Sequence, residues 1–305
     1  MILITWNIRW CRGVDGRVDP RRIVREARAL ADFDILCLQE VADNFPHPRL
    51  ARASDADQFA ELARLLPGYT AIEGVAVDRA GDGGRAGAGG RPGDSGRRRR
   101  FGNMILSRLP VGEVYRHLLP YPSDSRVPGM PRVAVEAVIE ARSGSLRIVT
   151  THLEYYSTRQ RAAQVDALRT IYADGDAHAR DFAVTIDDGG PFDNPPRPRT
   201  TLIVGDFNFE PDSADYLRLL VPFDGGATPP LVDATPPLTD AWRARHPTAP
   251  HPTTFKLYEK LRPNEPELHC DFVFADPSAL ARIAAIDVNA VTQASDHQPI
   301  VVTIE

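Results

Sequence analysis

The residues best able to do chemistry in this chain stand at the ends of short apolar runs. Asn7 follows ILITW, Glu40 closes ILCLQ, His152 closes IVTT, and Asp206 and Asn208 follow LIVG. Asp271 opens DFVFA, and Asp296 and His297 stand just before PIVVTI. A rigid sheet fixes the geometry of such positions while the strand ends meet solvent, so polar groups gathered there form sites. The set holds several carboxylates, two Asn, two His and no Cys. Hard oxygen donors suit Mg2+ or Mn2+ better than zinc. Such an ion binds through one or two carboxylates, keeps some of its water and leaves room for phosphate oxygens, which points to phosphoryl chemistry. Taken singly each position has a plainer reading: a surface carboxylate, an Asx turn at GDFN, a surface histidine near the C-terminus.

The elements that must position these groups alternate. Residues 1–8, 34–38, 103–107, 133–139, 146–151, 201–205, 271–275 and 299–304 are short runs rich in β-branched residues and bounded by Gly, Pro or Asp, and they read as strands. Helical spacing occupies 19–32, where Asp19 is an N-cap and Pro20 the first helical residue, and recurs at 56–66, 158–173 and 212–220. Mixed order of this kind implies a layered α/β or α+β domain. Residues 78–100 are Gly/Arg-rich and are expected to form a flexible loop; Arg97–Arg100 at its end could grip phosphate, though a solvated run is the better reading. Residues 120–131, 187–200 and 222–238 are Pro/Gly/Asp-rich connections, and none reads as an interdomain linker.

The ordered set WNI, LQE, FGNMILSR, THLE, GDFN, CDF and SDHQP resembles the endonuclease/exonuclease/phosphatase superfamily, the deoxyribonuclease I-like proteins, over nearly the whole chain from Asn7 to His297. The resemblance implies a four-layer sandwich, two mixed β-sheets face to face with helices on the outer faces, and a single domain over 1–305. It also assigns roles. Glu40, with Asn7 close by and Asp296 completing that side, would hold Mg2+, or Mn2+. Asp206 would orient or deprotonate the attacking water and Asn208 would donate to the phosphate. His297 would contact the scissile phosphate, with Asp271 fixing its ring and favouring its charged form. His152 would protonate or stabilise the leaving group. Asn103 in FGNMILSR could reach the phosphate, or cap a strand. Arg132 could bind it bidentately, although a surface Arg is the commoner case. Phe255, with Thr254, sits where relatives place a substrate-lining aromatic. Trp6, Trp10 and Trp242 are assigned to packing, and His47, His117, His178, His246 and His251 to the surface.

The expected activity is hydrolysis of a phosphodiester by in-line attack of water, with nucleic acid as the leading substrate. A phosphatase or phosphodiesterase of a small phosphoester is the alternative, and a non-catalytic binder that kept the fold is the reading from another class. Charge does not decide between them: 36 Lys+Arg against 41 Asp+Glu give a net charge of −5, so a polyanion site would have to be local. Three widely spaced cysteines suit a reducing compartment. The first ten residues read as a strand rather than a leader, and no apolar run is long enough to span a bilayer. A cytoplasmic monomer is therefore expected.

Overall fold

The computed structural model describes residues 1–45, 56–81, 98–181, 189–193, 195, 197–222, 235–258 and 266–305. Two six-stranded sheets form the centre. The first contains β1 (Ile2–Asn7), β2 (Ile35–Asp43), β3 (Thr70–Ala80), β4 (Arg98–Ser107), β11 (Ile283–Val288) and β12 (Ile300–Ile304), in the order β11-β12-β1-β2-β4-β3. The second contains β5 (Val111–Leu118), β6 (Val133–Ile139), β7 (Leu146–His152), β8 (Thr201–Asp206), β9 (Thr239–Asp240) and β10 (Asp271–Ala275), in the order β5-β6-β7-β8-β10-β9. Each sheet has a central parallel pair, β1 with β2 and β7 with β8, and its other described pairings are antiparallel.

Strand alternation divides the apolar side chains into three layers. Leu3, Ile35, Ile105, Val135, Ile148, Val204, Val273 and Val302 fill the space between the sheets. The opposite faces of β1 and β2, with Ile4, Trp6, Leu36 and Leu38, pack against Ile23 and Ala27 of α1 (Pro20–Leu30) and Phe59 and Leu62 of α2 (Gln58–Leu65). The outer face of the second sheet packs Val149, Ile203 and Phe272 on Val165, Leu168 and Tyr172 of α3 (Thr158–Arg180) and Tyr216 of α4 (Ala214–Leu220). These four helices start at side-chain caps, Asp19, Asp57, Ser157 and Ser213, each accepting from a backbone N–H of the first turn. The expected four-layer sandwich is thus present. No helix among the described residues is long and apolar enough to cross a membrane.

Several expectations need correction. The Gly/Arg-rich segment is not loop throughout 78–100: β3 reaches Ala80 and β4 begins at Arg98, while residues 82–97, Arg97 among them, lie outside the described residues. Arg98 pairs with Asp78. Arg100 meets Asp43 at 2.9 Å, Asp57 at 2.9 Å and Glu73 at 2.7 Å, and its guanidinium stacks over the Phe59 ring. Three carboxylates already answer its charge, so it is a structural cation rather than a solvated one. β3, β5, β9 and β11 were not anticipated. Those of sheet-edge length, β3, β5 and β11, have interrupted burial, so their apolar pattern is weak. The α3 helix runs seven residues beyond the expected end, to Arg180. His251 is half-buried instead of exposed, with Nε2 2.7 Å from the Asp240 carboxylate. His117 lies 3.0 Å from Glu136, and His246 Nε2 faces the Ile286 carbonyl. His47 lies outside the described residues.

Candidate active site

The two parallel pairs end side by side, and the register brings the polar residues together. In β7 and β8, His152 is directly opposite Asp206, and antiparallel β10 starts with Asp271 opposite Asp206. In the other sheet Asn7 lies beside Gln39 at the end of the β1/β2 pair, and the chain entering β12 delivers Asp296 and His297. Two local distortions aim the groups. Glu40 sits where β2 slips register against β4 and has φ 61°, and Asn208 has φ 52°; left-handed non-glycine residues cost energy and collect at sites. Gly205, with φ 134°, leaves no room for a side chain, because a Cβ there would stand 2.0 Å from the Thr151 carbonyl.

Asp206 is the hub. Its Oδ2 accepts from Asn7 Nδ2 at 2.8 Å and lies 3.5 Å from His152 Nε2 and 3.7 Å from His297 Nε2, while Oδ1 accepts from the Asn208 backbone N–H at 3.0 Å. Burial, then the charge of Asp271, raises its carboxyl to about 7. Burial alone would push the His297 ring down, but the carboxylates of Asp271, Asp206 and Asp296 outweigh it and bring the ring up to about 10, so it is a cation at neutral pH. Asp271 Oδ2 lies 2.8 Å from His297 Nδ1 and leaves Nε2 turned to Asp206. His152 differs: burial, then the nearby charges of Arg132 and His297, holds it well below its usual value. It is neutral, so it can stabilise a leaving group through a ring N–H but arrives with no spare proton.

Glu40 and Asp296 form the second group. Burial and then the charge of Asp296 push the Glu40 carboxyl up, against the opposing pull of His297, Asn7 and Arg132. Hard oxygen donors in that state fit a divalent cation such as Mg2+ or Mn2+. Asn7 does not offer its oxygen there. Its Nδ2 donates to Glu40 at 3.2 Å and to Asp206 at 2.8 Å, and its Oδ1 accepts from the Arg9 N–H, so it ties the two carboxylates together.

The weaker candidates separate. Arg132 is 5% exposed, contrary to a surface reading; its Nε lies 3.4 Å from Glu154, its Nη1 has no partner, and its charge is felt at Glu40, Asp206 and His152. Asn103 spends its Nδ2 on the Val133 carbonyl at 2.9 Å, stitching one sheet to the other. Phe255 lies against the His297 ring at 4.5 Å between centroids. Asn208, Phe255, Phe209, Leu268, Cys270 and Tyr155 line a cavity of about 170 Å3 beside Asp206, with Arg161, Glu210 and Ser213 completing it. Glu154, Arg9, Ser295 and this cavity wall, Asn208 and Phe255 apart, escaped sequence reasoning. Glu154 and Arg9 lie inside THLE and WNIRW, where each reads as an ordinary surface charge.

His269, unremarked in the sequence, Nδ1 2.6 Å from the Pro252 carbonyl, is lowered to about 4 by burial and then by the charge of His251. The folded state therefore binds its proton more weakly than the unfolded state, so stability is lost as pH falls from about 6.5 towards 4, by roughly 3 kcal/mol. Urea unfolding at pH 7 and pH 4.5 should show a His269→Gln variant losing less stability on acidification than the wild type; equal losses would remove His269 from the account.

Carboxylates, amides and a charged histidine converging where two face-to-face mixed sheets end define a phosphoesterase-like site on a four-layer sandwich. The chain belongs to the endonuclease/exonuclease/phosphatase family, whose model matches residues 4–297. It is similar to an endonuclease/exonuclease/phosphatase from Beutenbergia cavernae, at 22% identity and TM-score 0.64, covering 99% of this chain and 70% of that one. It is also similar to the mannosyl-6-phosphatase Bt3783 of Bacteroides thetaiotaomicron, at 16% identity and TM-score 0.61, covering 100% and 99%. The Neisseria 3′ phosphatase NExo, solved with a product DNA hairpin, matches at 17% identity and TM-score 0.58, covering 100% and 99%. At these identities the structures share the fold. No curated protein matches the sequence. As a member of this family the chain is a phosphoester hydrolase, and the family is generally divalent-metal dependent.

Proposed function

We propose that this protein hydrolyses a small phosphoester with the aid of Mg2+ or Mn2+, the reaction being in-line attack of water aligned by Asp206. The observation that carries this is the Asp206 carboxylate, raised to about 7 and set between charged His297, neutral His152 and the cation-type pair Glu40 and Asp296. A base near the working pH is the most effective acceptor of a water proton. A cation on Glu40 and Asp296 would draw charge from a phosphate oxygen. His297, held by Asp271, would donate from Nε2 to the charge growing on the phosphate oxygens. Asn208, its Nδ2 bonded to the Leu153 carbonyl, lines the cavity. Arg132 keeps one unpartnered Nη1 for a phosphate oxygen, while Asn103, engaged between the sheets, is left out of the proposed machinery.

One feature favours a small substrate over the nucleic acid expected first: Arg100, a member of the run that could have tracked a backbone, is already answered by three carboxylates. Nucleic acid remains the second reading, supported by the likeness to the DNA-bound Neisseria phosphatase. Release of product from p-nitrophenyl phosphate, bis-p-nitrophenyl phosphate and mannose 6-phosphate, beside nicking of supercoiled plasmid, with Mg2+ or Mn2+ and with EDTA, separates these. Metal-dependent turnover of a small ester at rates well above nicking is expected. Nicking as the dominant activity would return the assignment to a nuclease, and EDTA-insensitive turnover would reject the cation.

A further inference from the structure

Arg9 is bound to the site twice. Its guanidinium Nε lies 3.1 Å from Asp296 Oδ2, with the Arg9 side chain 22% and the Asp296 side chain 10% exposed. Its backbone N–H donates to Asn7 Oδ1 at 3.0 Å, and this bond turns Asn7 Nδ2 towards Glu40 and Asp206. The backbone that achieves this is unusual: Arg9, Trp10 and Cys11 have φ of 45°, 56° and 60°, three successive non-glycine residues in the left-handed region. Such residues each cost energy and persist where the surroundings impose them. The surroundings here are visible. Cys11 is fully buried against the α1 layer, Gln58 Nε2 donates to the Trp10 carbonyl at 2.7 Å, and the Trp10 ring packs edge-on to Phe101. The tight turn after β1 sends the side chain of Arg9 back over the strand end instead of out to solvent.

The groups around Asp296 make the consequence of that turn specific. Ser295 Oγ, which also donates to the Asn7 carbonyl at 2.8 Å, is 3.4 Å from Asp296 Oδ1, and Arg9 takes Oδ2. Glu40 feels the Asp296 charge, and so does His297. A guanidinium and a divalent cation would therefore draw on the same carboxylate. We infer that Arg9 is an internal counter-ion of the cation site: it holds Asp296 in place and competes with the divalent ion for it, so that it sets the site's affinity for metal. Arg9 acts through Asp296 and is a positioning residue. A fixed positive charge within a few ångströms of a cation site lowers affinity for a second positive charge, most at low ionic strength.

The inference rests on reading Glu40 and Asp296 as the cation site, so its test includes that reading. Mn2+ titrations of the 305-residue chain without substrate, followed by electron paramagnetic resonance of the free ion, would compare the wild type with Arg9→Gln, Arg9→Lys and Glu40→Gln. Arg9→Gln is expected to bind Mn2+ roughly tenfold more tightly at low salt, with the gain shrinking as salt is added. Arg9→Lys, which keeps the charge, is expected to stay near the wild type. Glu40→Gln is expected to lose most binding. Unchanged binding in Glu40→Gln overturns the cation-site reading itself. Loss of binding in Glu40→Gln together with unchanged or weaker binding in Arg9→Gln overturns the role of Arg9 alone, and a far-ultraviolet circular dichroism spectrum of each variant separates either result from misfolding.

Discussion

Asp206→Asn is expected to cut turnover by roughly 10^2- to 10^4-fold, the range that a positioned general base contributes. The carboxylate does three things that an amide cannot. It accepts a proton near neutral pH, its raised value of about 7 making it neither too weak nor permanently protonated. It adds negative charge beside His297, one of the causes that bring that ring up to about 10. And it accepts at one oxygen from Asn7 and at the other from the Asn208 N–H, so an Asn side chain would set a donor against a donor at one of them. Stability should change little by comparison, because removing a buried charge that is held up at about 7 relieves as much desolvation as it forfeits in bonds. Steady-state turnover on the best ester, read beside a urea midpoint, checks both halves. Turnover within tenfold of the wild type would remove Asp206 from the chemistry.

The largest effect on folding is expected on the far side of the second sheet. Glu136 of β6 and Arg147 of β7 are both 0% exposed and lie 2.7 Å apart, and Arg197 joins the same Glu136 oxygen at 2.6 Å with its guanidinium over the Tyr115 ring. Burial would raise the Glu136 carboxyl, but the bonds from His117 and Arg147 and the charges of Arg147 and Arg197 outweigh it and bring it down to about 2. Two sequence features make room for this pair. Strand alternation puts both residues on the face covered by α3, and Gly175 in the C-terminal third of α3 accommodates the guanidinium, since a Cβ there would stand 2.0 Å from Arg147 Cζ and Nη1. A glycine inside a helix costs about 1 kcal/mol relative to alanine, which the ion pair explains. Glu136→Ala would leave Arg147 buried without its carboxylate, and breaking a buried pair from one side costs about 3–5 kcal/mol. Urea denaturation at neutral pH measures it. A loss below about 1 kcal/mol would mean that water or Thr201, 3.3 Å from Arg147 Nη1, already satisfies the cation.

What the sequence made legible follows from burial. β6, β8, β10 and α1 have near-continuous or clearly periodic apolar residues because both faces, or one whole stripe, are covered, and their limits match the expected ones within two residues. The edge strands have one polar face and passed unnoticed. At the site, the polar residues at strand ends were readable because the parallel pairs concentrate them, and the ordered motifs tied them to one family. Two kinds of information were not readable. Which atom a side chain presents depends on its neighbours' bonds: Asn7, expected beside the cation, lies next to Glu40 and turns its Nδ2 to both Glu40 and Asp206, because the Arg9 N–H holds its oxygen. Burial of a charge depends on partners far away in sequence: Arg132 and Arg100 read as surface residues, yet Glu154 in one case, and Asp43, Asp57 and Glu73 in the other, draw them in.

The central claim is that water aligned by Asp206 attacks phosphorus at this site. Its most direct test is hydrolysis, in 18O-enriched water with Mg2+ or Mn2+, of the ester that the substrate panel shows to turn over fastest, with mass spectrometry of both products from the wild type and Asp206→Asn. The account predicts one solvent oxygen in the released phosphate, none in the leaving alcohol, and the same labelling at a rate at least a hundredfold lower in the variant. Solvent label in the alcohol, or wild-type labelling kinetics in Asp206→Asn, would contradict it.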